Sequence, residues 1–155
     1  MAETLGSLVD KLSIKCIREH FLQQMKEAGN TKFSAAEIDE RLRLLEKQKK
    51  QLHEEIEDFV AAAQKGLVPL RDEKIKLYNP RNQVGRIEDA TSLSRAIDGL
   101  IRKNFELWNL EDQARRTDVD LAHIGQVKKA IDPVNQQRND YMDRIDALLE
   151  QTFQK

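Results

Sequence analysis

The sequence contains little cysteine, proline, glycine or aromatic side chain, and each shortage narrows the range of possible folds. The single cysteine, Cys16, excludes an intramolecular disulfide and suits a reducing compartment. With 6 glycines and 3 prolines in 155 residues, the chain has few positions at which regular structure is expected to break. The remaining composition, rich in Ala, Glu, Lys, Leu and Arg, is typical of long helices.

Other shortages concern location and partners. The formal net charge is only −1, so no overall field favours nucleic acid or an acidic membrane. The chain has no run of about 18 apolar residues, which a membrane span would need. The N-terminus, Met1 to Gly6, lacks the basic head and apolar stretch of a signal peptide. We therefore expect a cytoplasmic protein that binds no nucleic acid and does not span a membrane.

One apolar pattern occurs twice and dominates the chain. The first copy runs from Ile38 to Phe59, and each of its residues has a counterpart 89 positions later, in the copy from Val127 to Leu148. Within each copy the residues are spaced alternately four and three apart, which is the seam of a helix that packs along another helix. A cation interrupts both apolar lines at the equivalent place. These two cations are Lys49 and Arg138.

Side chains that can cap helix N-termini set the predicted boundaries. We expect helices to begin at Ser7 with Asp10 as its capping partner, at Ser34 with Glu37, at Thr91 or Ser92, and at Asp120. We expect them to end near Glu27, Lys65, Arg116 and Thr152. Pro133 should kink the last helix, because proline removes an internal hydrogen bond and clashes with the preceding turn.

These observations predict an all-α fold, a four-helix bundle made of two repeated hairpins with approximate two-fold symmetry. Each hairpin is a short helix followed by a long one. Residues 1–65 form the first hairpin, residues 91–155 form the second, and the two share one core. Residues 66–90 form a long, irregular, basic connector that contains Pro69 and Pro80. Such a loop is a frequent place for function, and a solvated connector is the equal alternative.

Charged residues on the seams are the first candidates for a site. A cation in an apolar seam is costly unless a carboxylate meets it, and Asp10, Asp98 and Glu111 lie on or beside the facing seams. One interpretation is an ion pair that fixes helix register. The other is a polar pocket between the hairpins that binds an anion. The candidate residues of this polar seam are Asp10, Lys49, Asp98, Trp108, Glu111, Arg138 and Asp140.

An acidic run on the first long helix supplies the enzymatic alternative. Glu54, Glu55 and Asp58 lie within about one turn and could hold Mg²⁺ and the phosphates of a nucleotide. Their spacing resembles the first half of the metal motif of all-α nucleotide pyrophosphohydrolases, Glu-Glu-x-x-Glu. The second half, Glu-x-x-Asp, is missing, and the chain has no phosphate-binding glycine loop and no nucleophile elbow. A solvated acidic face is the other interpretation, and we expect no cofactor.

Four segments carry a resemblance to a family. They are Leu-Gly-Ser-Leu-Val-Asp-Lys-Leu-Ser-Ile at 5–14, Trp-Asn-Leu-Glu-Asp at 108–112, Asn-Gln-x-Arg-x-Asp at 135–140 and Ile-Asp at 145–146. The chain resembles the bacterial family of unknown function numbered 4254. That resemblance implies an all-helical soluble protein whose relatives' genes tend to occur with those for sugar transfer and surface polysaccharide. The candidate site residues that the resemblance implies are Trp108, Glu111, Asp112, Asn135, Gln137, Arg138 and Asp140.

The function predicted from these features is binding and not catalysis. We expect a non-catalytic binding or scaffold protein, a homodimer, that is accessory to bacterial surface-glycan synthesis. Two alternatives stay open at this point. One is the Mg²⁺-dependent nucleotide pyrophosphohydrolase, and the other is a structural coiled-coil adaptor.

Overall fold

A computed structural model describes residues 3–29, 32–71, 87 and 90–154. Its four α-helices are α1 (Leu5–Ala28), α2 (Ala35–Gln64), α3 (Leu93–Ala114) and α4 (Leu121–Phe153). The described residues include no β-strand, so the predicted all-α fold is confirmed. In the same part of the chain, no helix is both long enough and apolar enough to cross a membrane.

The helix starts follow the predicted caps, with one correction. The capping side chains of α2, α3 and α4 are those of Ser34, Ser92 and Asp120. The first helix begins one turn earlier than predicted, because Thr4 is its cap and Ser7 is the reciprocal partner in the first turn. The proposed capping box of Ser7 with Asp10 is wrong. Asp10 is instead buried in the bundle, at 4% exposure.

Two glycines end the helices of the first hairpin. Gly29 follows α1 with a φ of 65°, and Gly66 follows α2 with a φ of 73°. Both angles lie in the left-handed region, which glycine adopts without a side-chain clash. In the second hairpin, α4 continues as one helix through Pro133. The expected kink there stays a prediction.

The helices alternate in direction along the chain, but their packing is not symmetric. The contact of α3 with α4 is the most extensive, followed by that of α1 with α2. Helix α1 also packs against both α3 and α4, whereas α2 packs chiefly against α1 and hardly touches α3. Helix α1 is therefore central and α2 is peripheral. We call the end at which α1 and α3 stop and α2 and α4 start the loop end.

One hydrophobic core draws residues from all four helices. The seams of both long helices contribute Leu52, Phe59, Tyr141, Ile145 and Leu148 to it. The same seams also bury Ile38, Leu45 and Val127. Parts of the predicted connector also reach it, since Val68, Leu70 and Ile87 pack against the core. The guanidinium Nε of Arg144 donates to the carbonyl oxygen of Ala90 at 2.9 Å. The rest of the predicted basic connector, residues 72–86, 88 and 89, lies outside the described residues.

A glycine sets the distance between α1 and α4. A Cβ atom at Gly6 would overlap the backbone carbonyl oxygen of Met142 on α4. The same close approach lets the Gly6 N–H donate to Oδ1 of Asp146 at 2.7 Å. That N–H belongs to the first turn of α1, where amides have no partner within the helix. The Asp146 carboxylate therefore stabilises the start of α1 from a different helix.

We predict that Gly6→Ala destabilises the protein although alanine favours helix. The new Cβ meets backbone atoms, which cannot rotate away, so the free energy of unfolding should fall by about 2 kcal/mol or more. The matched control is Gly125→Ala, because a Cβ at Gly125 meets nothing within 4 Å. That variant should gain about 0.5–1 kcal/mol from helix propensity. Urea unfolding followed by circular dichroism measures both, and equal stability of the two variants would show that α1 and α4 are not this close.

Candidate functional site

An ion pair between α1 and α4 is the centre of the predicted polar seam. Arg138 donates from Nε to Oδ1 of Asp10 at 2.9 Å and from Nη2 to Oδ2 at 2.6 Å. The side chain of Asp10 is 6% exposed and that of Arg138 is 25% exposed. A bidentate pair of this kind is fixed in geometry as well as strong. The cation of the second seam thus meets one of the three carboxylates proposed for it.

Amide and hydroxyl groups complete a network around this pair. Nδ2 of Asn104, on α3, donates to Oδ1 of Asp10 at 2.9 Å and lies 3.1 Å from Oγ of Ser13. On α4, Nη1 of Arg138 donates to Oδ1 of Asn135 at 3.0 Å. The network therefore connects α1, α3 and α4. Its two charged groups, Asp10 and Arg138, neutralise each other. This arrangement favours the register-fixing interpretation over an open anion pocket at Arg138.

Electrostatics at Arg138 agree with the geometry. The hydrogen bonds to Asp10 raise the pKa of Arg138 above its ordinary value, and the charges of Asp10 and Glu111 add to this against the opposing effect of burial. Glu111 is itself exposed on α3. It acts on Arg138 through its charge, and it is not a direct hydrogen-bond partner of Arg138 in the described structure. Arg138 is therefore charged at neutral pH, as a guanidinium group ordinarily is.

The cation of the first seam has a partner that the sequence reasoning missed. Nζ of Lys49 lies 3.2 Å from Oε1 and 3.4 Å from Oε2 of Glu19 on α1. A signal for this partner was present. The spacing of Leu5, Leu8 and Leu12 on α1, extended by three and then four residues, arrives at Glu19. The Lys49 side chain is 22% exposed and that of Glu19 is 29% exposed, so water screens this pair in part.

Asp98, another of the three carboxylates proposed for the seam cations, does not meet either of them. Its side chain is 59% exposed and pairs with Arg102 on its own helix at 2.9 Å. The reason is the packing of the bundle: α2 hardly touches α3, so Asp98 cannot reach Lys49. The remaining predicted seam residue, Asp140, is half-buried on α4 and has interaction partners of its own.

The proposed metal ligands do not form a cluster. Glu54, Glu55 and Asp58 are all exposed on α2. Across residues 3–29, 32–71, 87 and 90–154, no three His, Cys, Asp or Glu side chains are placed to hold a metal ion. The observed geometry matches the interpretation of this run as a solvated acidic face.

Trp108 belongs to a cluster of rings that joins α1 to α3. It stacks on Phe21 with ring centroids 5.2 Å apart and planes within 10°. His20 meets the edges of Phe21 and Phe105, at 5.3 Å and 6.4 Å between centroids. The cluster lies toward the loop end of the bundle, beyond the Asp10–Arg138 network along α1.

Beside this cluster is a groove that sequence reasoning did not find. Residues of α1 and α2 line it together with Trp108 of α3, and its cavity volume is about 390 Å³. We call it the loop-end groove and define it by its lining residues, which are Lys15, Arg18, Phe21, Leu22, Met25, Phe33, Arg41, Leu44, Leu45, Gln48 and Trp108. The lining is mainly apolar, and every charge in it is positive. Its existence depends on the separation of α2 from α3, which no local pattern reveals.

Comparison with known proteins gives one match. The family described as "Protein of unknown function (DUF4254)" matches residues 1–71 and 89–155. The match confirms the resemblance seen in the sequence. All four segments that carry the resemblance lie within the matched residues. No curated protein and no solved structure shows a detectable similarity to the chain.

The two seam cations should differ in their effect on stability. Arg138→Met leaves Asp10 buried without a counter-charge, so we predict a loss of about 3–5 kcal/mol in the free energy of unfolding. Lys49→Met leaves Glu19 able to turn to water and should cost about 1 kcal/mol or less. Urea unfolding of both variants under one buffer condition tests the difference. Equal losses would mean that the Asp10–Arg138 pair is not specially buried.

Proposed function

Since the chain belongs to the DUF4254 family of proteins of unknown function, membership assigns no reaction, and we propose from the geometry that it is a non-catalytic binding protein. The observation that carries this proposal is the open loop end of the bundle. There α2 and α3 hardly touch, and an apolar groove whose charged lining residues are all cations lies between them. The buried charges, in contrast, are occupied in holding helices together. A bundle with this arrangement is suited to binding through its surface.

Exposed apolar side chains at the same end support the proposal. Leu44 is 54% exposed, Phe105 is 37% exposed and Leu121 is 88% exposed, and all three lie in the loop-end halves of their helices. Covering such side chains with a partner removes apolar surface from water, which favours association at this end. Phe105 and Leu121 lie outside the groove, and we assign them to a contact with a second copy of the chain. We therefore propose a homodimer in which the groove remains open to a ligand.

The proposal includes a cellular role. We place the protein in the cytoplasm, where the single cysteine would stay reduced, as a scaffold or accessory in bacterial surface-glycan synthesis. This role rests on the resemblance to a family whose genes tend to occur with genes for sugar transfer. The coiled-coil adaptor would share the exposed apolar end and would need no ligand in the groove.

A nucleotide-hydrolysis assay tests the non-catalytic proposal against the enzyme alternative. We expect no Mg²⁺-dependent release of pyrophosphate or phosphate from nucleoside triphosphates above the buffer rate. We also expect Glu55→Gln to be indistinguishable from the wild type, because Glu55 is an exposed residue outside any metal cluster of the described chain. Turnover that needs Mg²⁺ and disappears in Glu55→Gln would overturn the proposal.

Sedimentation equilibrium tests the homodimer. We predict that Leu121→Glu weakens dimerisation at least about tenfold, since a charge would enter the apolar contact, which corresponds to about 1.4 kcal/mol. The matched control is Leu67→Glu, because Leu67 is 72% exposed and follows α2 at the opposite end of the bundle. It should leave the dimer unchanged. A monomeric wild type, or an equal effect of both substitutions, would contradict the assignment of this surface.

A further inference from the structure

The loop-end groove has the shape of a small-molecule site. Helices α1 and α2 supply most of its lining and α3 supplies Trp108, and Leu45, at 6% exposure, is the one buried residue of that lining. Its volume of about 390 Å³ falls within the range of about 300–1,000 Å³ usual for ligand pockets. By comparison, two turns of a helix 10 Å wide occupy roughly 850 Å³. The groove therefore admits a chain-like molecule more readily than the body of a partner helix.

The charges of the groove have no counter-charge in the described protein. Lys15 and Arg18 lie one turn apart on α1, and no carboxylate lines the groove. Neither cation makes an ion pair or a hydrogen bond to a described residue. The third cation, Arg41, lies over the ring of Phe33 at 4.1 Å from its centroid. The groove is thus apolar along its length, and its positive charges are free to meet an anion.

The excess of positive charge is confined to the groove, because the cleft on the opposite side of the α1–α2 contact has balanced charges. The cleft there is lined by carboxylates and cations together. Lys26 pairs with Asp39 at 2.7 Å, and Lys49 pairs with Glu19 at 3.2 Å. That flank compensates its own charges, so it needs no ligand to do so.

The lowered pKa of Lys15 also favours an anion site in the groove. Burial lowers the pKa of Lys15, and the nearby positive charge of Arg18 lowers it further. A second cation nearby and an apolar surface both destabilise the charged form of a lysine. An anion bound between them would remove that repulsion, whereas a neutral or cationic ligand would not.

We propose that the loop-end groove binds a single-chain anionic amphiphile, with its phosphate or carboxylate head at Lys15 and Arg18 and its apolar chain along Phe21, Leu22 and Met25. This inference deepens the proposed binding function and rests on it. The apolar lining accounts for the chain, and the unpaired cations account for the head. Phosphate suits the pair of cations well, because guanidinium and ammonium groups both bind it strongly.

The experiment uses Trp108, the single tryptophan, as the reporter, since it lines the groove. Wild-type protein is titrated with dodecyl phosphate below its micelle concentration, and tryptophan fluorescence is measured. We expect a saturable change. Inorganic phosphate, which lacks the chain, and dodecyltrimethylammonium, which reverses the head charge, should each bind at least tenfold more weakly.

Three variants locate the binding. Arg18→Glu and Leu44→Glu alter exposed side chains of the groove, so both should fold, and each should weaken dodecyl phosphate binding at least tenfold. Lys47→Glu makes the same charge change at an exposed position of α2 outside the groove and should bind like the wild type. Circular dichroism confirms that each variant is helical. Where Arg18→Glu fails to fold, Arg18→Gln replaces it, with the same expected direction.

Several results would overturn the inference. Equal affinity for the cationic amphiphile would show unspecific detergent binding, and so would binding unchanged in Arg18→Glu and Leu44→Glu. Competition between dodecyl phosphate and dimerisation, with dimers lost in Leu44→Glu, would make a second copy the occupant of the groove. None of these results depends on nucleotide hydrolysis, so the inference can fail while the proposed non-catalytic function stands.

Discussion

The bidentate ion pair of Asp10 with Arg138 is the interaction on which the arrangement of the bundle depends. Burying two charges costs several kcal/mol, and their attraction offsets that cost only when the remaining hydrogen-bonding capacity is also filled. Asn104 and Asn135 fill it here, from α3 and α4. The pair is therefore possible only in one register of α1 against α3 and α4. About one turn before Asp10 on α1, the close approach of Gly6 to Met142 holds the same register.

This constraint makes the two hairpins unequal despite their repeated sequence. Helix α1 is committed to α3 and α4 as well as to its own partner α2. Helix α2 is left with α1 as its principal neighbour and hardly touches α3. The groove lies between these two helices, lined by residues of α2 and by Trp108 of α3. Structure and proposed function are thus connected: the interaction that centres α1 also opens the surface to which we assign binding.

Much of this could be predicted from residues alone, because it is local. Helix starts at Ser34, Ser92 and Asp120 follow from capping chemistry, and the buried faces of α2 and α4 follow from their spacing. The need of Arg138 for a carboxylate follows from the cost of a buried charge. The partner of Lys49 and the exposed position of Asp98 could not be predicted from the spacing of the seams. They depend on whether α2 reaches α3, which is decided by packing between segments far apart in the chain, and the groove escaped prediction for the same reason.

The most direct test of this account is a double-mutant cycle on Asp10 and Arg138. The free energy of unfolding is measured for the wild type, for Asp10→Ala, for Arg138→Ala and for the double variant. If the pair holds α1 in its central position, the coupling free energy should be about 2 kcal/mol or more. Additive losses, with a coupling near zero, would show that the two side chains do not act together and that another interaction centres the bundle.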